Sequence, residues 1–245
     1  MTQPIAVFPE EPLTLNNADV ASAAAADAPG QQRPIRLAAE TRESKGYLFV
    51  KRVFDILLSG LALIALSPLL LIIALVIFLD DPHGSPLFVQ ERAGKNGSVF
   101  KMLKFRSMVM DAEKKLGELL EKNEMSGAIF KIKEDPRITK VGRFIRRTSI
   151  DELPQLVNVL LGQMSIVGPR PVVLREAAQY TRYQKQRFAV TPGLTCIYQV
   201  QKNRYELSFE ECVEMDLEYI RRHNFWLDCK LVWMTIGIVL RGIGA

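Results

Sequence analysis

The stretch ILLSGLALIALSPLLLIIALVIFL, residues 56–79, carries no charge along its 24 residues. About 20 apolar residues are enough for a helix to cross a bilayer, so this stretch predicts membrane contact. About fifty residues precede it and no small-residue cleavage pattern follows before Asp80, which argues against a secretory signal peptide. We expect the stretch to remain in the mature protein as an anchor.

Ser67-Pro68 lies at the middle of this stretch. A proline there removes a backbone hydrogen bond and bends the helix, and the freed carbonyl needs another partner. Basic residues flank the stretch on both sides, namely Lys51 and Arg52 before it and Arg92, Lys95, Lys101, Lys104 and Arg106 after it. Cytoplasmic flanks tend to be basic, so both ends are drawn to one side of the membrane. The pattern favours a re-entrant helix broken at Ser67 and Pro68, with an ordinary kinked transmembrane helix as the alternative.

Composition divides the chain into three parts. Residues 1–46 are rich in Ala, Pro, Gln and Asn and predict a disordered tail, residues 47–80 hold the anchor, and residues 81–245 form the predicted catalytic domain. The chain is 48% hydrophobic, which is enough for a substantial core. Its net charge of +5 indicates an anionic partner, which leaves nucleic acid, lipid headgroups and a phosphorylated substrate as candidates.

Cysteine and histidine chemistry is disfavoured by the composition. The 3 cysteines contain no C-x-x-C pair, and the 2 histidines lack metal-like spacing. These counts argue against a disulfide framework, a cysteine zinc site and a histidine-centred triad, and they fit a reducing compartment. Carboxylates are therefore the side chains on which we expect the chemistry to depend.

Adjacent carboxylates, Asp151 and Glu152, occur in the sequence SIDELPQ at residues 149–155. Proline is tolerated in the first turn of a helix, so Pro154 predicts a helix that begins near Asp151. At such a position the helix dipole and the unpaired N–H groups favour an ionised carboxylate and also attract a substrate phosphate. Ser149 and Glu152 equally fit a capping box, S-x-x-E, whose only role would be to start the helix.

The body of the chain is predicted to be α/β and rich in α-helix. Two strand-like runs, at residues 85–92 and 98–108, flank the turn-forming sequence AGKNG and predict a β-hairpin. Helical patterns occur at residues 110–122, 154–161, 172–188, 209–223 and 225–240. Several of these helices are amphipathic, and the last one suits either a membrane interface or a packed core.

Basic residues lie around the carboxylates in the sequence: Lys104, Arg106, Arg143, Arg146, Arg147 and Arg170. Guanidinium forks match phosphate oxygens, so these residues are candidates for binding a diphosphate or a lipid phosphate. A solvated basic surface near anionic lipids explains most of them equally well. In Gly168-Pro169-Arg170-Pro171, two prolines fix the backbone around one arginine, which either presents that arginine to a ligand or simply forms a rigid turn.

Taken in order, the motifs resemble those of the bacterial sugar transferases known as monotopic phosphoglycosyl transferases. The resemblance runs from about Lys51 to the C-terminus and includes KRVFD, PLFVQERAGKNGSVFKMLKFRSM, ITKVGRFIRRTSIDELPQLVNVLLGQMSIVGPRP, VTPGLTCIYQV and DLEYI. It implies an enzyme that transfers a sugar 1-phosphate from a nucleotide diphosphate sugar, usually a UDP-hexose, to undecaprenyl phosphate. UMP would be released at the cytoplasmic face of the bacterial inner membrane, in the first step of exopolysaccharide, capsule or related glycan assembly.

The Asp-Glu dyad of this family falls on Asp151 and Glu152. The resemblance implies that Asp151 attacks the diphosphate, forms a covalent phospho-sugar intermediate and binds Mg²⁺, while Glu152 acts either as a base or as a positioning group. Covalent catalysis would let two anionic substrates use the site in turn. Arg146 and Arg170 match the phosphate-binding arginines of the family. Further candidates for binding the substrate phosphates are Arg147, Lys104, Arg106 and Pro169.

Two departures from the family pattern leave the choice of nucleotide sugar open. Cys196 stands where glycine is usual, and residues 201–204, QKNR, replace an expected glycine-arginine element. The alternative to an enzyme is a noncatalytic membrane-bound adaptor of polysaccharide assembly that uses the same basic face. A nucleic-acid partner is not expected, because no recognised binding motif accompanies the charge. A homodimer is compatible with the sequence.

Overall fold

The computed structural model describes residues 44–112, 115, 135–204 and 206–241. Residues 1–43 of the predicted tail, and most of the predicted helix at residues 110–122, lie outside the described residues. The helices are α1 (Lys45–Asp80), α2 (Lys140–Arg147), α3 (Gln155–Leu160), α4 (Leu174–Gln179), α5 (Phe209–Arg222) and α6 (Phe225–Leu240). The strands are β1 (Leu87–Ala93), β2 (Val99–Phe105), β3 (Ser165–Val167), β4 (Val172–Val173) and β5 (Gly193–Thr195).

Helix α1 has 36 residues and is long and apolar enough to cross a membrane. It begins at Lys45, so residues 45–46 belong to the anchor and not to the predicted tail. The helix is continuous in hydrogen bonding across Ser67 and Pro68, and Pro68 lies inside it, so the predicted re-entrant bend at these residues stays a prediction. Pro68 has no N–H to donate to the carbonyl of Ile64, four residues earlier, and the Ser67 hydroxyl donates to that oxygen instead at 2.8 Å. The serine thus satisfies the carbonyl that the proline leaves free.

The first half of α1 is attached to the rest of the protein by polar contacts. Arg52 Nη1 and Nη2 donate to the carbonyl oxygens of Val159 and Leu160 at 2.7 and 2.8 Å. These carbonyls lie at the C-terminal end of α3, where helical partners are missing, so the guanidinium caps that helix. Lys51 Nζ donates to Asp228 Oδ2 of α6 at 2.8 Å. The N-terminal part of the anchor is therefore held on two helices.

The far end of α1 contacts the same domain. Ile73 and Ile77 pack against β2 and α2 in one buried cluster. Arg106, which directly follows β2, donates through Nη1 to Asp81 Oδ2 at 2.8 Å, just beyond the last residue of α1. Between the two ends the apolar surface is open, and Ile64 is 74% exposed. Both ends of the anchor are therefore docked on one body, and its middle is left bare.

Strands β1, β2 and β4 form an antiparallel sheet in the order β2-β1-β4. The predicted hairpin of β1 and β2 is confirmed, and its turn places Asn96 and Gly97 at φ angles of 56° and 76°. Asparagine and glycine tolerate this left-handed conformation better than other residues. The register sets Phe88 opposite Lys104. Strands β3 and β5 pair in parallel and form a second, two-stranded sheet.

The main core joins residues of both sheets to α3, α5 and α6. Helix α5 confirms the predicted helix at residues 209–223, and Ser208 and Glu211 form a capping box at its start. The predicted single helix at residues 172–188 is wrong. The chain there forms β4, the short α4 and a 3-10 helix at Gln184–Ala189. Helix α4 ends at Gln179, because the next residue, Tyr180, has an extended backbone with ψ 135°.

Helix α6 has two different faces. Asp228 and Leu231 are buried, whereas Trp226 and Trp233 are exposed. The core-packing alternative is therefore confirmed for one face of the helix. The exposed aromatic face is where the membrane-interface prediction continues to apply.

Candidate active site

Asp151 and Glu152 lie in a single turn of 3-10 helix between α2 and α3. Helix α3 begins only at Gln155 with Pro154 as its N-cap, which corrects the expected helix start near Asp151. The predicted capping box is also wrong, because Ser149 adopts a left-handed conformation with φ 57° and its side chain makes no capping hydrogen bond. The Glu152 carboxylate is thereby available for contacts with other parts of the domain.

Two cations from distant parts of the chain hold the Glu152 carboxylate. Lys104 Nζ of β2 donates to Glu152 Oε1 at 3.0 Å, and Arg170 Nη2, from the loop between β3 and β4, donates to the same oxygen at 2.8 Å. Burial alone would raise the pKa of Glu152, but Arg170 and Lys104 outweigh it and lower the pKa below its usual value. The Glu152 carboxylate therefore stays ionised and fixed in position.

Asp151 has a different environment from its neighbour. It is 7% exposed, and no donor from the described residues hydrogen bonds to its carboxylate. Burial raises the pKa of Asp151 to about 6, with Lys104 opposing the rise and Glu152 adding to it. Adjacent carboxyl groups whose pKa values are pushed apart are suited to different tasks. The Glu152 carboxylate thus accepts hydrogen bonds from two cations, whereas the Asp151 carboxylate accepts none from the described residues.

The loop that carries Arg170 packs backbone to backbone against β5. Gly168 N donates to Thr195 O at 3.0 Å, and Gly193 N donates to Pro169 O at 2.9 Å. A Cβ atom on Gly193 would lie only 2.0 Å from Gly168 N, so no larger residue fits there without displacing the loop. Pro169 therefore contributes a backbone carbonyl to the attachment of this loop.

The structure brings some of the other predicted phosphate-binding residues to the dyad and not others. Arg146, half-buried in the last turn of α2, is close enough to Asp151 to lower its pKa. Arg147 is exposed, and within the described part of the chain it contacts neither carboxylate. Arg106 is engaged by Asp81 at the end of the anchor. The basic residues at the dyad are Lys104, Arg146 and Arg170.

The donor set of the site fits Mg²⁺. Among the described residues, no group of three or more His, Cys, Asp and Glu side chains could hold a metal ion by itself. Mg²⁺ is usually bound through one or two carboxylates and completes its coordination with water and substrate phosphates. The Asp151 carboxylate, which receives no hydrogen bond from the described residues, suits such a partial site.

Arg92 of β1 lies beside this cluster and was not predicted to be part of it. Burial, followed by the charge of Arg170, lowers the pKa of Arg92 to about 10. The position of Arg92 in the strand could have indicated that it is half-buried, because side chains alternate along a strand and Gln90 and Arg92 therefore lie on the same face. Both are half-buried, while Glu91 between them is exposed.

Comparison with known proteins gives several matches. The sequence matches the model of the bacterial sugar transferase family over residues 46–242. The galactosyl transferase CpsE of Streptococcus agalactiae is 42% identical over 199 residues, which cover 81% of this chain and 44% of CpsE. The UDP-galactose-lipid carrier transferase of Erwinia amylovora is 43% identical over 202 residues, which cover 80% of this chain and 42% of that protein. The exopolysaccharide production protein ExoY of Sinorhizobium fredii is 41% identical over 200 residues, 80% of this chain and 87% of ExoY.

The chain spans less than half the length of CpsE and of the Erwinia protein. The residues matched by the family model nevertheless include most of α1, the carboxylate dyad and the Arg170 loop. A match of this extent, with relatives more than 40% identical over most of the chain, shows the family. This protein belongs to the bacterial sugar transferase family.

Proposed function

We propose that this protein transfers a sugar 1-phosphate from a nucleotide diphosphate sugar, a UDP-hexose, to undecaprenyl phosphate. The products are an undecaprenyl-diphosphate-sugar and UMP, and the reaction begins the assembly of an exopolysaccharide, a capsule or a related glycan. The names of relatives support this reaction: an undecaprenyl-phosphate galactose phosphotransferase of Salmonella typhimurium and a UDP-glucose:undecaprenyl-phosphate glucose-1-phosphate transferase of Escherichia coli. Galactose and glucose are therefore the first sugars to test.

The contrast between Asp151 and Glu152 carries this proposal. A carboxylate oxygen of Asp151, which receives no hydrogen bond from the described residues, attacks the phosphorus that bears the sugar. The bond from that phosphorus to the UMP oxygen breaks, and UMP leaves. An oxygen of undecaprenyl phosphate then attacks the same phosphorus, the acyl-phosphate bond breaks, and the Asp151 carboxylate is restored. Each step exchanges one P–O bond for another, so the two anionic substrates need not occupy the site together.

Glu152 acts in this proposal as a positioning group and not as a base. A general base works best when its pKa lies near the working pH, whereas Arg170 and Lys104 hold the pKa of Glu152 below its usual value. Its Oε1 already accepts hydrogen bonds from both cations. By holding them, Glu152 places two positive charges beside Asp151, where they stabilise the charge that develops on the transferred phosphoryl group.

Asp151 and the substrate diphosphate would together hold Mg²⁺. When bound, the ion offsets the repulsion between a carboxylate and a diphosphate. Arg146 lies on the same side and reduces the remaining negative charge at Asp151. Removal of divalent cations with EDTA should abolish UMP release, and added Mg²⁺ should restore it. Full activity in EDTA would contradict this role of the ion.

The anchor is proposed to be re-entrant, with both ends on the cytoplasmic face of the bacterial inner membrane. The support is that Arg52 near one end and Asp81 at the other contact the same domain. A helix that crosses the bilayer would put these two contacts on opposite sides. The exposed apolar residues around Ile64 would then enter the lipid. The Ile64 carbonyl, which Pro68 leaves without an amide donor, accepts a hydrogen bond from the Ser67 hydroxyl.

The activity is tested by UMP release from purified protein with undecaprenyl phosphate and a panel of UDP-sugars. Asp151→Asn should abolish release, and Asp80→Asn, the same change at an exposed site, should leave it unaltered. With a UDP-sugar and no lipid acceptor, the intact mass of the wild-type protein should increase by one sugar phosphate, and that of Asp151→Asn should not. Membrane binding without UMP release from any nucleotide sugar would favour the noncatalytic adaptor.

The topology is tested by single cysteines placed on either side of the anchor, Ser44→Cys and His83→Cys, both at exposed positions. A membrane-impermeant maleimide should label both from the cytoplasmic side of inverted vesicles and neither from the outer side of intact cells. Labelling of the two positions from opposite sides would overturn the re-entrant arrangement.

A further inference from the structure

The backbone of the Arg170 loop is held by its carbonyl groups. The sequence Pro169-Arg170-Pro171 contains two residues without an N–H group, so its amides offer little for attachment. Its three consecutive carbonyls each accept a hydrogen bond. Gly193 N donates to Pro169 O at 2.9 Å, Arg187 Nη2 to Arg170 O at 3.4 Å and Arg92 Nη1 to Pro171 O at 3.2 Å. Two of the three donors are guanidinium groups from other elements.

Arg187 reaches the loop from a buried position. It is 4% exposed, and Asp216 of α5, its ion-pair partner, is fully buried. The same Nη2 donates to Asp216 Oδ2, and Nη1 donates to the Tyr180 hydroxyl at 3.2 Å. The guanidinium thus lies between a carboxylate on one side and the Arg170 carbonyl on the other.

This ion pair is poorly satisfied as a purely structural element. Arg187 Nε and Asp216 Oδ1 are buried, and neither has a hydrogen-bond partner in the described part of the protein. Buried polar atoms are nearly always paired, and well-packed apolar residues often replace a buried ion pair without loss of stability. The contact of Arg187 with the loop gives the pair a role that apolar residues could not fill.

We propose that Arg187, held by Asp216, and Arg92 are positioning residues that fix the Arg170 backbone so that its guanidinium meets Glu152. This inference rests on the proposed function, in which Arg170 supplies positive charge at the reacting phosphoryl group. By donating to the carbonyls of Pro171 and Arg170, Arg92 and Arg187 set the position of the Arg170 guanidinium. Their loss should affect the transfer step while leaving the fold and the dyad in place.

The test replaces the ion pair with apolar residues of similar size, in the variant Arg187→Met with Asp216→Leu. The double change leaves no unpaired buried charge, so the protein should stay folded with only a small decrease in its unfolding temperature from the lost bonds to Tyr180 and Arg170. A displacement of about 1 Å at a catalytic group costs on the order of 100-fold, so kcat/KM for UMP release should fall by roughly 10- to 100-fold. Arg92→Gln, which leaves Asp216 untouched, should lower kcat/KM in the same direction. Arg222→Lys, at an exposed arginine of α5 that pairs with Glu218 and keeps its charge in this change, is the matched control and should change nothing.

Coupling to Arg170 separates positioning from a general loss of structure. If Arg187 acts through Arg170, the double change should have little further effect on kcat/KM in an Arg170→Lys background, since neighbours in one network are not additive. Hydrogen exchange gives a readout that needs no activity: the Gly168 and Gly193 amides, which donate to Thr195 O and Pro169 O, should exchange faster in the folded double variant, and those of β1 and β2 should not.

Each outcome decides a specific point. A folded double variant with wild-type kcat/KM and unchanged loop exchange would overturn the positioning role, as would effects that multiply fully with Arg170→Lys. Faster loop exchange together with lower kcat/KM supports it. If the wild-type protein releases no UMP with any sugar nucleotide, the proposed function fails, and the exchange of the loop amides still decides whether Arg187 holds them.

Discussion

Replacing Asp151 with asparagine removes a charge that burial disfavours, so the variant should unfold at a higher temperature than the wild-type protein. Burial, with a smaller contribution from Glu152, raises the pKa of Asp151 from 3.8 to about 6. Each pKa unit corresponds to about 1.4 kcal/mol, so ionisation of Asp151 costs the folded state roughly 3 kcal/mol at pH 8. In a protein of this size, removal of this cost in the variant should raise the midpoint temperature of unfolding by about 6–12 °C.

The difference between variant and wild type should depend on pH in a defined direction. Because the pKa of Asp151 is higher in the folded state than in the unfolded chain, the stability linked to this residue is complete below pH 3.8. It is lost as the pH rises through about 6. The two proteins should therefore unfold at similar temperatures near pH 4 and at different temperatures above pH 6.

Thermal unfolding in lipid nanodiscs at pH 4 and pH 8 provides the measurement. The neighbouring change Glu152→Gln is the matched control, and it should have the opposite sign at pH 8. It leaves Lys104 and Arg170 without their counter-charge; this costs about 3–5 kcal/mol at a fully buried pair and should cost less here, because the Arg170 side chain is 34% exposed. The reasoning is refuted if Asp151→Asn is less stable than the wild type at pH 8, or if its offset is the same at both pH values.

The site and the core give further predictions. Below pH 6, kcat/KM for UMP release should fall about tenfold per pH unit, because only the ionised form of Asp151 attacks, and a flat profile between pH 4.5 and 6 would contradict this. Asn158→Ala should destabilise the protein by about 3 kcal/mol in thermal unfolding, since it leaves a β2 amide and a β2 carbonyl unpaired; a loss below about 0.5 kcal/mol would be inconsistent. Gly193→Ala should reduce kcat/KM, because its Cβ would lie 2.0 Å from Gly168 N and push the Arg170 loop away, and wild-type kinetics would show that the loop does not need this contact.

Two segments with the same S-x-x-E pattern show how far the sequence could predict this fold. Ser208 and Glu211 form a capping box, because Glu211 is exposed and no cation contacts it within the described part of the chain. Ser149 and Glu152 do not, because two cations located 48 and 18 residues away in the chain hold the Glu152 carboxylate. The S-x-x-E pattern indicates only a local preference for a capping box. Contacts with cations from elsewhere in the chain determine whether the glutamate is free to form it.

The same distinction applies to the basic residues of the site. The anchor, the hairpin and α5 depend on neighbours in the sequence, so periodicity and turn residues predicted them. Arg106 and Arg170 were both predicted to bind phosphate, yet one contacts Asp81 at the end of the anchor and the other contacts Glu152. The local sequence does not identify these partners, because the partner of each arginine is set by how α1 and the β3–β4 loop pack on β2.

Because both ends of α1 contact the rest of the domain, a force that the lipid bilayer exerts on the anchor would reach the active site. Arg106 ties the far end of the anchor to the chain two residues after Lys104, which in turn holds Glu152. In the proposed re-entrant arrangement, the depth to which the exposed middle of α1 enters the lipid would act on both of these contacts and, through Arg106, on the chain next to Lys104. The choice of detergent or lipid is therefore a variable of turnover as well as of solubility.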